Sequence, residues 1–223
     1  MDDKNYLATE VPESKIVSHA KWPRYLYEIG NSEGTKILEI GSRGPAATEF
    51  RSNMPKATYI GFDYYPGENV DITGDVHKLS SYFAPGEKFD IVFSTACMEH
   101  FAMPWVAARE MVKMLKVGGT LIIETHFSYG AHSRPWHFFH FTDMGLRCLF
   151  PEAMGMQCIE AGMSNPVVGR FSALADGYLQ NKPITGMYCH SEYLGIKRCE
   201  VTGFTWENVN VDELVMGTKY PVF

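Results

Sequence analysis

Four histidines, His126, His132, His137 and His140, fall within fifteen residues of a 223-residue chain. Phe127, Tyr129, Trp136, Phe138, Phe139 and Phe141 share that stretch, and five of the chain's eight histidines lie between positions 100 and 140. Imidazole titrates near neutral pH, so such a segment can supply a general base. Rings beside it can enclose an apolar reactant and attract a cationic centre through their π faces. Arg134 can pair with an anionic group. His126 and His132 are the better base candidates, because they follow most closely on the apolar run at 120–125. His137 and His140 share a side if the segment is helical. Tyr129, Arg134, Trp136 and Phe139 are the candidate reactant wall. The plain alternative is that the aromatic residues are core and each histidine satisfies a nearby carbonyl; the density of the cluster favours function.

A second set of residues is spread more widely but at regular places. Glu39-Ile40-Gly41-Ser42-Arg43-Gly44 is an acid and a glycine-bearing turn after an apolar run, where a ligand can approach the backbone closely. Asp63 ends the next apolar run, 24 residues after Glu39, and an acid there can accept from both hydroxyls of a ribose. Gly74-Asp75-Val76-His77 offers a carboxylate and a backbone N–H, a pair suited to an adenine edge. Ser94-Thr95-Ala96-Cys97-Met98-Glu99-His100 follows a third apolar run. Cys97 reads as a small buried hydrophobe.

The elements that must position these groups alternate. Residues 36–41, 58–63, 89–94 and 120–125 read as strands, with a short one near 69–72. Residues 14–30, 46–53, 105–116 and 142–149 read as helices. Pro23 must break or kink the first helix, and Pro45 suits the first turn of the second. Val117-Gly118-Gly119 stops the third helix, and Thr142 caps the fourth. Segments 157–161 and 194–202 are the remaining strand candidates. Near-continuous apolar strands between helices indicate a parallel sheet covered on both faces, whose ligands bind at the strands' carboxyl ends. Every group singled out above falls at such an end.

Taken in order, Ile37-Leu38-Glu39-Ile40-Gly41, Gly61-Phe62-Asp63, Gly74-Asp75-Val76, Phe89-Asp90-Ile91-Val92, Met98-Glu99-His100 and Leu115-Lys116-Val117-Gly118-Gly119 resemble the class I S-adenosylmethionine-dependent methyltransferases. The likeness is closest to the type 11 small-molecule group and covers roughly residues 35 to 125, with a weaker extension to 150. It implies a doubly wound, Rossmann-like α/β fold: a seven-stranded, mostly parallel sheet with an antiparallel last strand and helices on both faces. It also implies roles. Glu39, Gly41, Ser42, Arg43 and Gly44 would hold the aminocarboxypropyl end of S-adenosylmethionine, and Asp63 the ribose. Tyr64 would pack on adenine while Asp75, Val76 and His77 meet its edge. Thr95, Ala96 and His100 would line the sulfonium. The family's first loop usually carries glycine at alternate positions, and here the second and third are Arg43 and Pro45. Arg43 either reaches the cofactor carboxylate or changes the pose.

Composition bounds the rest. Lys plus Arg is 20 and Asp plus Glu is 26, a formal charge of −6, which argues against a nucleic-acid footprint. No apolar run suggests a membrane span, and the polar start lacks a signal-peptide pattern. The five widely spaced cysteines, without CxxC, favour reduced thiols and a cytoplasmic setting. The expected organisation is a leader and helix over residues 1–30 that caps the site. A single domain over 31–223 follows, with a turn-rich insertion at about 164–193. That insertion would be a lid or a subunit contact, and a homodimer is one option. The expected reaction is in-line transfer of a methyl group to a hydroxyl or amine of a small molecule, with a sugar or secondary metabolite the class considered and a histidine as base. The spacing of His137 and His140 does not demand a metal, so none is expected. A non-catalytic scaffold subunit of the same fold is the alternative, favoured by the altered glycine loop. A nicotinamide oxidoreductase ranks lower, since G-x-G-x-x-G is incomplete.

Overall fold

Hydrophobic residues at single-residue alternation in three neighbouring strands decide the architecture. In the computed structural model, β1 (Lys36–Ile40), β4 (Phe89–Thr95) and β5 (Leu115–His126) lie side by side and parallel. Leu38, Val92, Leu121 and Ile123 point to one face, and Ile37, Ile91, Phe93 and Ile122 to the other, as a period of two requires. The first face is covered by α3 (Pro104–Met114) and α4 (Asp143–Leu149), the second by α1 (Trp22–Gly30) and α2 (Ala46–Ser52). β2 (Thr58–Asp63), β3 (Ile72–Thr73), β6 (Met156–Pro166) and β9 (Tyr188–Lys197) complete a seven-stranded sheet of order β3-β2-β1-β4-β5-β9-β6. Only β9 runs antiparallel to its neighbours β5 and β6. The strand order reverses between β1 and β4, which opens a crevice above their carboxyl ends. The structure describes Lys4, Leu7 and residues 11–44 and 46–220.

Most expected elements are present, and Thr142 caps α4, its hydroxyl accepting from the Gly145 N–H at 2.9 Å. Pro45, and most of the expected leader, lie outside the described residues.

Three boundaries differ, each for a physical reason. The first helix starts at Trp22 rather than Ser14, with Pro23 in its first turn, where a missing N–H costs nothing. Upstream, the N–H groups of Lys15, Ile16 and Val17 donate to the Glu160 carboxylate at 2.8 to 3.1 Å, an arrangement that competes with helix. The segment thereby lies along β6, where Ser14 N–H donates to the Met163 carbonyl. Second, α3 ends at Met114 and Leu115 already pairs with Phe89, so Gly118, at φ +85, turns a bulge inside β5 instead of stopping a helix. Third, β6 and β9 form a long hairpin, leaving 167–187 as the insertion, with its own small ladder of β7 (Gly169–Arg170) and β8 (Pro183–Ile184). β6 is an edge strand carrying Gly162, Ser164, Asn165 and Pro166, which hides it from propensity. Beyond β9, Phe204, Trp206 and Val209 fold back onto the α3–α4 face, and a single helical turn, α5 (Val211–Leu214), follows. Among the described residues no helix is long and apolar enough to cross a membrane.

Candidate active site

The crevice holds a cavity of about 850 Å3. Its floor is built from the ends of the first four strands. Glu39 and Gly41 come from β1 and its turn, Asp63 from β2, Gly74 to His77 from beyond β3, and Thr95 to Cys97 from β4. Gly41 has φ +94, and a Cβ there would sit 2.6 Å from the Cys97 sulfur, so only glycine passes. Ala96 takes φ 44, bent back so that its N–H donates to the Glu124 carbonyl at 3.0 Å.

Each acid on the floor has a distinct environment. Glu39 is 1% exposed and accepts from the Tyr59 hydroxyl at 2.6 Å. Burial, opposed by that hydroxyl and by Arg51, pushes its carboxyl up to about 7. Asp63 accepts from the N–H groups of Tyr65 and Arg43 at 3.0 and 3.2 Å. Asp75 caps a 3-10 turn and accepts from the N–H of His77 at 3.0 Å; it also contacts the His77 ring Nδ1 at 2.6 Å. Burial alone would raise the Asp75 carboxyl, but these bonds outweigh it and hold it low. Met103 N–H donates to His77 Nε2 at 3.1 Å, so Nδ1 carries the proton toward Asp75. The Cys97 thiol is pushed well up by burial and by the nearby acids, which makes it inert.

Every residue expected at the cofactor lines this cavity except Ser42. That side chain is fully buried, its Oγ against the position where a Gly61 Cβ would lie. Arg43 turns toward Asp63, its Nε 3.6 Å from the carboxylate, and lies over the Tyr65 ring, so in this structure it meets the acid expected at the ribose. Gly44 has open space where a Cβ would be.

The histidine-rich segment folds over the cavity mouth and presents Ser133, Trp136 and Phe138 to it. Trp136 faces Tyr64 at 5.9 Å between ring centroids. The Glu99 carbonyl holds this loop, accepting from the N–H groups of Phe138 and Phe139. Of the expected reactant wall, only Trp136 lines the cavity. Phe139 packs into the α3–α4 core beside Phe141, Tyr129 stacks on His126 at 4.5 Å, and Arg134 stays exposed.

The four expected histidines stand one layer behind the wall. His100, which does line the cavity, lies 5.0 Å from His132 between ring centroids. His132 in turn lies 5.6 Å from His126 and 4.5 Å from His137, which neighbours His140 at 4.7 Å. His126 is buried at the end of β5, its Nδ1 2.7 Å from Oε1 of Glu99, a carboxylate with no exposure at all. Burial would raise the Glu99 carboxyl; the His126 ring and the Thr125 hydroxyl reverse that and hold it low. His19 and His190 extend the chain of rings, stacked at 4.1 Å, with His19 Nδ1 2.8 Å from Glu124. Sequence reasoning missed both, along with the burial of Glu99 and the lining by Phe50, Phe62, Tyr65 and Phe101. Nothing in the spacing of His19 announces its partner 105 residues away.

A cavity at the strand-order reversal of a sheet with an antiparallel seventh strand defines the class I S-adenosylmethionine-dependent methyltransferase fold. The chain belongs to the methyltransferase-domain family, whose model matches residues 17–162. Among solved structures it is similar to a putative methyltransferase from Bacillus halodurans, at 13% identity and a TM-score of 0.54, covering 79% of this chain and 98% of that one. It is also similar to an S-adenosylmethionine-dependent methyltransferase from Clostridium acetobutylicum, at 11% identity and TM-score 0.53, covering 81% and 92%. A third is magnesium protoporphyrin IX methyltransferase from Synechocystis, solved with S-adenosylmethionine, at 14% identity and TM-score 0.50, covering 79% and 76%. No curated protein sequence matches significantly.

The residues lining the cavity fit S-adenosylmethionine. The glycine at 41 leaves the floor open where any Cβ would close it. Glu39, Asp63 and Asp75 outnumber Arg43, the one guanidinium or ammonium group among the described lining residues, a balance suited to a cationic ligand and poorly suited to a diphosphate.

Proposed function

We propose that the chain transfers the methyl group of S-adenosylmethionine to a hydroxyl or amine of a small molecule, with a histidine of the cluster behind the wall as general base, His126 being the one set against an acid. The observation that carries this reading is the cavity itself. An acid-rich floor at one end faces His100 and the rings of Trp136 and Phe138 at the other. The bound cofactor supplies an activated methyl on a sulfonium. The chain's own part is to hold the acceptor in line, exclude water and take up a proton. Glu99 lies beside Nδ1 of His126, as the acid does in an acid–histidine pair. Trp136 and Phe138 form the acceptor wall, and the loop around 133–138 sheds water from it.

On this reading Glu39 faces the cofactor's ammonium group and binds it best when ionised. Because its carboxyl titrates near 7 in the free protein, cofactor affinity should rise as pH increases from 6 to 8. Glu39→Gln should flatten that rise, which calorimetry across this range would show. For folding the sign is opposite: the raised carboxyl favours the native state below about 4.5, and that contribution fades as pH climbs through about 7. Asp63→Ala should weaken cofactor binding about 10- to 100-fold, the worth of hydrogen bonds to a charged acceptor. Unchanged affinity would displace Asp63 from the ribose.

The proton step is tested by release of S-adenosylhomocysteine across a panel of hydroxyl- and amine-bearing acceptors. His126→Ala should lower turnover about 100- to 10,000-fold with cofactor affinity intact. Equal turnover at every pH would remove His126 as base.

A further inference from the structure

We propose that Glu99, His100 and His132 form a binding site for a divalent transition metal, zinc above all, whose open position faces the cavity. One ligand atom from each of the three residues lies within 4.8 Å of the other two, and Nε2 of His100 is 3.9 Å from Oε1 of Glu99. Tetrahedral zinc with ligands at roughly 2.1 Å needs them about 3.4 Å apart, so closure by about 1.4 Å at most suffices. Two imidazoles and a carboxylate with a vacant fourth place is a known catalytic zinc pattern, and imidazole disfavours magnesium or calcium.

The surroundings are those of ligands held ready. Nδ1 of His100 donates to the Trp136 carbonyl at 2.7 Å, and Nδ1 of His132 to the Gly130 carbonyl at 3.0 Å. Each ring therefore keeps its lone pair on Nε2, and a carbonyl behind a ring is the usual support of a metal-bound histidine. Thr125 Oγ donates to Oε2 of Glu99 at 2.8 Å, fixing the carboxylate. Its other oxygen, Oε1, is wholly buried and has no hydrogen bond of acceptable geometry, since His126 Nδ1 lies close but off line. A buried carboxylate oxygen without such a bond, beside two imidazole lone pairs, is what a cation would satisfy.

A second cluster, His19, Glu124 and His190, lacks this feature. Both Glu124 oxygens are taken, by Thr95 and by His19 itself, and His190 meets Asn165 and Cys189. His100 lines the cavity, so on the methyl-transfer reading the open metal position would take the acceptor's hydroxyl or amine.

The test uses the full chain, stripped with chelator and titrated with zinc against a chromophoric competitor, without cofactor or acceptor. It therefore reads the metal site even if the transfer reading fails. One equivalent should bind per chain, and cobalt in its place should give the visible bands of a low-coordinate nitrogen–oxygen site. His100→Ala and His132→Ala should each weaken zinc binding more than about 100-fold, beyond the loss from changing an outer partner. His132→Gln guards against a packing effect, and all variants are checked for a cooperative melt. His19→Ala and His190→Ala should leave affinity unchanged. Absence of stoichiometric zinc overturns the proposal, as does affinity that follows His19 or His190 instead.

Discussion

Glu99→Ala is expected to destabilise the protein by about 3–5 kcal/mol, the cost of removing one partner from a buried carboxylate–imidazole contact. Glu99 has no exposure and His126 is buried beside it. The Thr125 hydroxyl would lose its acceptor and the His126 ring its nearest negative charge. Against a total stability of about 5–15 kcal/mol, this is enough to unfold a marginal protein near physiological temperature. Chemical denaturation at pH 7 measures it, and Glu99→Gln should recover part of the loss by keeping the shape and the contact with Thr125. The wild-type contribution should fade on acidification. The Glu99 carboxyl is held below its ordinary value, so its support is complete above about 4.5 and is lost as pH falls through the lowered folded value. A loss below about 1 kcal/mol for Glu99→Ala would mean that the pair is far more hydrated than its burial indicates.

The next largest effect belongs to Gly41→Ala, which should abolish measurable cofactor binding and lower stability. Two costs combine. A side chain at φ +94 is strained by about 1–3 kcal/mol, and the new Cβ overlaps the Cys97 sulfur at 2.6 Å and its Cβ at 2.8 Å. Relief requires the β1 turn or the post-β4 segment to move, and both border the cavity. Cys97→Gly in the same chain removes the overlap but leaves the backbone strain, so it should restore only part of the stability. Wild-type cofactor affinity in Gly41→Ala would show that the floor is not where the cofactor lies.

These two residues also show how far the sequence carries. Gly41 was legible as a turn glycine after an apolar strand, and as part of a ligand floor only through the ordered motifs around it. The same holds for Asp63, Asp75 and Thr95, each a strand-end group whose place follows from local pattern. Glu99 was visible only as part of an ordered motif; its burial depends on β5 bringing Thr125 and His126 against it. Long-range pairing defeats local reading elsewhere too. Glu160 gathers the N–H groups of Lys15, Ile16 and Val17, and so an apolar periodicity that reads as helix becomes an extended border. Phe139 and Trp136 are three apart in one loop, yet one enters the core and the other the cavity wall, a choice made by the Glu99 carbonyl that holds the loop. Of eight histidines, the sequence grouped five, and the fold adds His19 from the segment ahead of α1 and His190 from β9, the strand between β5 and β6.

If the cavity at the strand-order reversal holds S-adenosylmethionine, titration calorimetry of the full chain with S-adenosylmethionine, S-adenosylhomocysteine and NADH will show it. Saturable one-to-one binding of the first two, lost in Gly41→Ala and weakened in Asp63→Ala, with no heat from NADH, is the predicted result. Binding of neither adenosyl compound, or a preference for NADH, would contradict it.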